Sequence, residues 1–418
     1  MSQGEQAFQA PIAISFWEKT CRSLFISALK GLPQGCLSIQ EHGREIASLG
    51  DKNSDLQAIV NILDPAAYPK LLLGGSIASG ETYTEKLWDT PDLTNVIRIF
   101  ARNLSTLDLW ERRFKWLTMP MNKIRHIANS NSQEQAKKNI GAHYDLGNRL
   151  YVKFLDQSMM YSSAIYPDPN ASLAQAQQNK LKTICDKLQL QPSDHLLEIG
   201  TGWGGLAVYA AKNYGCKVTT TTISEEQYAW AKDWVQKENL EAQVTLLKKD
   251  YRLLDGSYDK LVSIEMIEAV GKKYLSNFFS KCSSLLKENG LMLLQSITID
   301  DRRYDSYGDS VDFIQKHIFP GGFLPSQLAI NQHLKKHTDF TIRDVHDIGL
   351  DYAQTLKDWY EAFMSQKAAL NEDGYDERFM RMWQYYLNYC EGGFLERVIS
   401  TVQLVVAKPQ HREYMSRG

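Results

Sequence analysis

From His195 onward the chain alternates short apolar runs with helix-length amphipathic stretches. Leu196-Leu197-Glu198-Ile199 is an apolar run carrying one acid, and Val218 to Ile223 is a second, β-branched run. Between them stand Gly200, Gly202, Gly204 and Gly205, then a helical stretch from Leu206 to Asn213. Strand, glycine-rich turn, helix and strand predict the opening unit of a doubly wound α/β sheet. The alternation continues with a helix over Glu225–Lys237, strands over Val244–Leu247 and Tyr258–Glu265, a helix over Phe278–Leu286 and a strand over Gly290–Ile299. Residues 300–395 are aromatic-rich and helical in pattern, too long for a simple connection, and read as a helical insertion before a last strand, Val398–Lys408. A helix over Leu173–Leu188 leads into the glycine turn.

The first hundred residues follow another plan. Phe16 to Leu32 carries an apolar stripe at helical spacing, which suits a core-facing helix or one lying on a membrane surface. Cys36 to Leu49 reads as a hairpin turning at Gly43, Gly74 to Tyr83 as a glycine-punctuated loop, and Leu93 to Asn103 as a helix. Residues 1–115 therefore predict a small, separate α+β domain. Arg112 to Lys138 is basic and loop-like, with Trp110, Phe114, Trp116 and Met119 interleaved. It suits either a solvated linker or a contact with anionic lipid headgroups. The expected division is residues 1–115, a basic linker 116–143, and a catalytic domain 144–418.

Composition changes this picture little. A chain of 418 residues has room for two or three domains, and 43% hydrophobic with 23% charged residues is ordinary for a globular protein. The net charge of −2 implies no nucleic-acid partner. Six cysteines form no C-x-x-C pair, no secretory signal is seen, and no apolar run approaches a membrane span. Reduced thiols in a cytoplasm are the simplest account. A lipid substrate would then be reached from one side of the bilayer.

The glycine turn carries the first chemistry. Its backbone passes close under a ligand, and the helix that follows offers unpaired N–H groups. Gly200, Gly202 and Gly205 also fit the G-x-G-x-x-G of dinucleotide sites, but that reading wants an acid at the end of the second strand. There the chain has Thr219-Thr220-Thr221-Thr222, with no acid until Glu225. The E-x-G-x-G-x-G spacing, led by Glu198, suits S-adenosylmethionine instead, with the carboxylate facing the ligand's ammonium end.

With these pieces placed, the chain resembles the cyclopropane-fatty-acid synthase family of methyltransferases, which includes the mycolic acid cyclopropane synthases. The matching segments are YDLGN (144–148), MMYSSAIY (159–166), LLEIGTGWGGLAVY (196–209), TISEEQ (222–227), KDYRLL (249–254), VSIEMIEAVG (262–271), FIQKHIFPGG (313–322), DYAQTLKDWYEAF (351–363) and YYLNYCEGGF (385–394). The likeness runs from about residue 74 to the C-terminus. It implies a Rossmann-like core binding S-adenosylmethionine, a lipid-binding N-terminal domain and an unsaturated phospholipid acyl chain as substrate. It further implies an enzyme that is cytoplasmic, peripheral on the inner face of the membrane, and dimeric. Tyr161, Ser162, Glu198, Gly200, Gly202, Gly204, Thr222, Gln227, Asp250 and Tyr251 are the implied cofactor residues, with Arg252 beside them. Glu268, Tyr352 and Cys390 are the implied catalytic residues. A bound bicarbonate, the implied base, maps to Ser163, Glu268, Gln295, Ile297 and Tyr352.

The chain departs from that family where Ser163 stands for a cysteine, Gln295 for a frequent histidine and Ala269 for a histidine beside the acid. Serine and glutamine still hydrogen-bond, yet Gln295 gains no charge, so bicarbonate would be held less firmly. The expected reaction is methyl transfer to an acyl-chain alkene, followed by ring closure on loss of a proton. The competing expectations are a methyl- or methylene-branched product, methylation of a small amine, and a lipid-binding protein without catalysis.

Overall fold

The computed structural model describes residues 14–106, 147–308 and 311–412. The basic connector Arg112–Lys138, the linker 116–143 and the first three residues of YDLGN lie outside these ranges. The chain divides into two units, Met1–Met121 with Asp376–Gly392, and Asn122–Tyr375 with Gly393–Gly418.

In the smaller unit, strands β1 (Cys36–Glu41), β2 (Arg44–Gly50), β3 (Gln57–Ile62) and β4 (Trp88–Asp89) form one sheet in the order β2-β1-β3-β4. The expected hairpin turns at His42 and Gly43, both at positive φ (49° and 74°), as a twisted two-residue turn requires. The helix Phe16–Leu29 opens with a capping box of Ser15 and Glu18 and buries Cys21 and Leu29. It leaves Phe16 87%, Trp17 57% and Leu24 44% exposed, so only part of its apolar stripe faces inward.

Two expectations for this unit need correcting. Gly74 to Tyr83 is helical, lying within Ala67–Thr84, whose only non-helical residue is Gly75 (φ 56°, ψ −140°). Its C-terminal half buries Ala78, Gly80, Thr82 and Thr84, and both threonine hydroxyls bond back to carbonyls one turn earlier, so packing overrides the glycines' weak helix propensity. Residues 376–392, expected in the catalytic domain, cluster with this unit instead. Arg381 donates to the carbonyls of Tyr83 (2.7 Å) and Trp88 (3.1 Å) and lies 3.9 Å from the Tyr83 ring centre. Thr94 donates to Glu391 at 2.8 Å.

The larger unit holds β5 (His195–Ile199), β6 (Lys217–Thr222), β7 (Val244–Lys248), β8 (Tyr258–Ile264), β9 (Leu286–Ile299), β10 (Thr341–Asp347) and β11 (Ile399–Ala407) in one sheet, ordered β10-β11-β9-β8-β5-β6-β7. Strands β5 to β9 pair in parallel, while β11 runs antiparallel to β9 and β10. Leu196 packs with Ile184, Leu206 and Val218, whereas Leu197 packs with Leu261, Phe278 and Phe279. Consecutive residues of β5 thus feed separate cores on opposite faces, as a parallel strand covered by helices must. The chain steps outward from β5 to β7 and then returns to β8, so the sheet's direction of winding reverses between β5 and β8. The carboxyl ends of those two strands frame the crevice where ligands bind in such sheets. Strand β10, inside the span expected to be helical, escaped notice because it is a largely exposed edge with a bulge between Ile342 and Asp344.

Gly205 opens the helix Gly205–Tyr214, and a Cβ added there would lie 2.3 Å from the Ser158 carbonyl oxygen and 3.1 Å from Met160 Sδ. Gly205→Ala is therefore expected to destabilise the larger unit by about 2 kcal/mol through overpacking. Urea denaturation with an unchanged midpoint would show that Ser158 yields freely.

Candidate active site

The glycine turn is pinned to its neighbour before any ligand arrives. The N–H groups of Gly200 and Thr201 both donate to the Thr221 carbonyl of β6, at 3.1 Å each. Gly200, Gly202 and Gly204 all have positive φ (102°, 53° and 97°). A Cβ on Gly200 would press on Met266 at 3.2 Å, and one on Gly204 on Ala231 at 3.0 Å. One on Gly202 would meet nothing within 4 Å, so packing does not account for that glycine. The open space beside it fits a bound cofactor.

Around the turn, the threonine run of β6 serves as a row of hydroxyl donors. Thr220 donates to Glu198 Oε2 at 2.5 Å and shares a 2.7 Å contact with Thr201. Burial pushes the Glu198 carboxyl up to about 8, and the Thr220 hydrogen bond only partly opposes it. Thr222 donates to Gln227 Oε1 at 2.9 Å, while Ser224 caps the helix that carries Gln227. After β7, Asp250 takes both Nε (2.9 Å) and Nη2 (2.6 Å) of Arg252. Burial would raise the Asp250 carboxyl, but Arg252 prevails and holds it below its usual range. Tyr251 follows in the same turn, its ring 5.6 Å from Phe278.

The second cluster lies at the carboxyl end of β8. Glu265 follows the last residue of that strand, at φ 48°, a conformation uncommon for a side chain other than glycine. Its Oε1 accepts from the Ser163 N–H at 3.0 Å and from Gln295 Nε2 at 2.8 Å, and its Oε2 from the Tyr352 hydroxyl at 2.8 Å. Gln295 is itself oriented by Gln403 of β11, whose amide donates to Gln295 Oε1 at 3.0 Å. Glu268 accepts from the Ile297 N–H at 2.6 Å and from the Ser296 hydroxyl at 3.0 Å, both through Oε1. Its Oε2 is buried and has no hydrogen-bond partner among the described residues. Burial and then the charge of Glu265 push the Glu268 carboxyl up to about 8. Burial also raises Glu265, against the opposing pull of Gln295, Lys180, Ser163 and Tyr352.

A chain of aromatic rings starts from the Tyr352 that binds Glu265. Tyr352 stacks on Phe394 (4.5 Å) and meets Trp359 edge-on (6.0 Å). Tyr161 lies 5.3 Å from Trp359 and 5.2 Å from Tyr151. Ser162 accepts from Lys180 Nζ at 2.8 Å. Lys180 is wholly buried, and burial pushes its ammonium down to about 8, although the charges of Glu265 and Asp156 work the other way.

All five residues expected to hold an anion therefore meet in two knots, one around Glu265 and one around Glu268. The Ser163 hydroxyl takes no part, turning to the Ala164 carbonyl at 2.9 Å. Cys390, expected as a catalytic residue, is half-buried on the stretch 376–392 that clusters with the smaller unit. Glu265 and Lys180 were missed. The signals were an acid immediately after a buried strand, and a lysine on the stripe of Ala176, Gln177, Leu181 and Ile184 that its helix buries.

Two outcomes test the cofactor side. Gly202→Asn keeps a residue that tolerates positive φ but fills the open space, so calorimetry should find S-adenosylmethionine bound at least roughly tenfold more weakly at a nearly unchanged melting temperature. Undiminished affinity would move the cofactor elsewhere. Glu198 has its folded pKa raised, so at pH 7 the free protein holds that proton, and a ligand ammonium brought close would expel it. Binding near pH 7 should release roughly one proton, fading as pH rises above about 8. The measure is a binding enthalpy that varies with buffer ionisation enthalpy in the wild type and not in Glu198→Gln.

Comparison with known proteins agrees with the fold. The family model for mycolic acid cyclopropane synthetase matches residues 131–404. The cyclopropane-fatty-acyl-phospholipid synthase of Escherichia coli K12 is 38% identical over 360 residues, covering 85% of this chain and 89% of that protein. A tuberculostearic acid methyltransferase of Mycobacterium tuberculosis is 37% identical over 336 residues, covering 79% and 78%. Among solved structures, the cyclopropane synthase MmaA2 from Mycobacterium tuberculosis superposes with a TM-score of 0.61 at 28% identity, covering 65% of this chain and 98% of that one. A mycolic acid cyclopropane synthase complexed with SAH and CTAB superposes with a TM-score of 0.60 at 28% identity, with the same coverage. The doubly wound sheet, the glycine turn and the extent of these matches lead to one conclusion: the chain belongs to the mycolic acid cyclopropane synthetase family and is an S-adenosylmethionine-dependent methyltransferase.

Proposed function

We propose that this enzyme methylates the double bond of an unsaturated phospholipid acyl chain and closes a cyclopropane ring by removing a proton. The observation that carries the reading is the half-buried acid pair, Glu265 and Glu268, with the Tyr352 hydroxyl on Glu265 and the rings of Trp359 and Tyr161 packed in turn behind Tyr352. Methylating an amine leaves no carbocation, because nitrogen supplies its own electron pair. Adding a methyl to an alkene leaves a carbocation, which needs electron-rich faces around it and a base within reach.

Gly202, Thr222, Gln227, Asp250, Tyr251, Tyr161, Ser162 and Glu198 would hold S-adenosylmethionine, which supplies an electrophilic methyl group when bound. The chain's own groups do the rest. Aromatic faces shelter the positive charge and keep water out, the Tyr352 hydroxyl orients Glu265, and the Ile297 N–H fixes Glu268. The bicarbonate expected on Ser163, Glu268, Gln295, Ile297 and Tyr352 does not fit this donor set. The Ser163 N–H, the Gln295 amide and the Tyr352 hydroxyl already donate to Glu265, and a further anion would face like charge. No step is assigned to it.

Among the described residues no helix is long and apolar enough to cross a membrane. We further propose a peripheral visit to the bilayer from the cytoplasmic side, supported by the exposed Phe16, Trp17 and Leu24 on the smaller unit's first helix. A second reading rests on the relative named a tuberculostearic acid methyltransferase: the same transfer with the proton lost from a chain carbon, giving a branch.

Expression in a bacterium that makes unsaturated phospholipids and lacks such an enzyme should deplete unsaturated acyl chains and add chains one methylene heavier. Gas chromatography with mass spectrometry reads both, and resistance to mild hydrogenation separates a ring from a methylene branch. An unaltered profile, together with no methyl transfer by the purified enzyme to unsaturated phospholipid vesicles, would remove the lipid reading.

A further inference from the structure

We infer that Glu265 is the base of the reaction, a carboxylate of the chain itself doing the work expected of a bound bicarbonate. This rests on the acyl-chain reading above. Its evidence is where the donors point. Of the five residues expected to bind the anion, Ser163, Gln295 and Tyr352 each give Glu265 a hydrogen bond, at 3.0, 2.8 and 2.8 Å, divided between its two oxygens. A carboxylate and a bicarbonate present the same chemistry to such donors, two oxygens sharing one negative charge. The buried Lys180, whose charge acts on Glu265, completes a setting in which an anion is tolerated out of water.

Position separates Glu265 from its neighbour. Glu268 has only Oε1 engaged, and its carboxyl is pushed up to about 8, so at neutral pH it keeps its proton. Glu265, with three donors and a nearby ammonium, is the acid of the pair that ionises first. Its backbone supports the assignment. At φ 48° the chain turns sharply after β8, which brings the side chain among residues from β9, the 159–166 segment and the helix Gly349–Ser365. Strained backbone held by surrounding contacts is a mark of functional positions.

The step balances without any added reagent. A C–H bond of the transferred methyl breaks, and its electron pair forms the ring bond to the cationic carbon. The proton passes to the Glu265 carboxylate, which becomes a neutral carboxyl and returns the proton to solvent after the product leaves. Nothing is oxidised or reduced.

The test uses the full-length enzyme, S-adenosylmethionine and vesicles of dioleoylphosphatidylglycerol, in buffer stripped of carbon dioxide and in the same buffer with millimolar bicarbonate. Wild-type turnover should be the same in both. Glu265→Gly suits the positive φ and removes the acceptor that Ser163, Gln295 and Tyr352 share, so it should lose about a hundredfold in turnover and regain at least tenfold with added bicarbonate or formate. Glu265→Gln, which keeps the side chain's volume, should lose a similar factor while calorimetry shows cofactor affinity unchanged. Wild-type turnover that collapses without bicarbonate would overturn the inference and leave the acyl-chain reading intact. So would a cofactor-binding Glu265→Gly that neither anion restores, or a Glu265→Gln as active as wild type. Should Glu265→Gly not fold, Glu265→Gln and the bicarbonate dependence of the wild type decide alone. No product from the wild type in either buffer would instead strike the acyl-chain reading itself.

Discussion

The larger unit is arranged around the holding of a half-buried carboxylate. Burying an ionised acid is costly unless donors replace the lost solvent. Glu265 obtains them from three separate stretches of chain, the 159–166 segment, β9 and the helix Gly349–Ser365. They meet past the carboxyl end of β8, next to the point where the sheet reverses its winding between β5 and β8. Glu268 and Lys180 then follow as consequences. A second acid this close keeps its proton, and a buried ammonium moderates the field of the first.

Much of the scaffold could be read from the chain because the signals were local. Parallel strands covered on both faces show as short apolar runs, and Leu196, Leu197 and Ile199 are buried as that pattern requires. The helices Glu225–Lys237 and Leu173–Lys187 carry their own capping serines, Ser224 and Ser172, and their limits were plain. Strand β10 was hidden by its wet edge. The helix Ala67–Thr84 was hidden by glycines whose flexibility is overruled by contacts far away in sequence.

The site divides along the same line. Gly202, Thr222, Gln227 and Glu198 stand on one strand–turn–helix unit and the strand beside it, so their spacing was informative. Glu265 draws its donors from up to 102 positions away in sequence, as its bond to Ser163 illustrates. Resemblance named four of the residues around the two acids but not Glu265, because it supplies the donors and says nothing of what they hold. Gln295 looked like a weakened histidine. In place it is the amide that joins Gln403 to Glu265, a role that needs a donor and an acceptor on one side chain and no charge.

The return of residues 376–392 to the smaller unit bears on how the protein is made. Arg381 closes over the carbonyls of Tyr83 and Trp88 from a point in the chain roughly 250 residues beyond the rest of that unit. A ribosome adding about 5–20 residues each second needs tens of seconds to reach it. Throughout that interval the four-stranded sheet has emerged without its last helix, and the carbonyls that Arg381 will cover face solvent or a chaperone. The smaller unit, begun before the larger one, is therefore finished only after most of the larger unit has been synthesised.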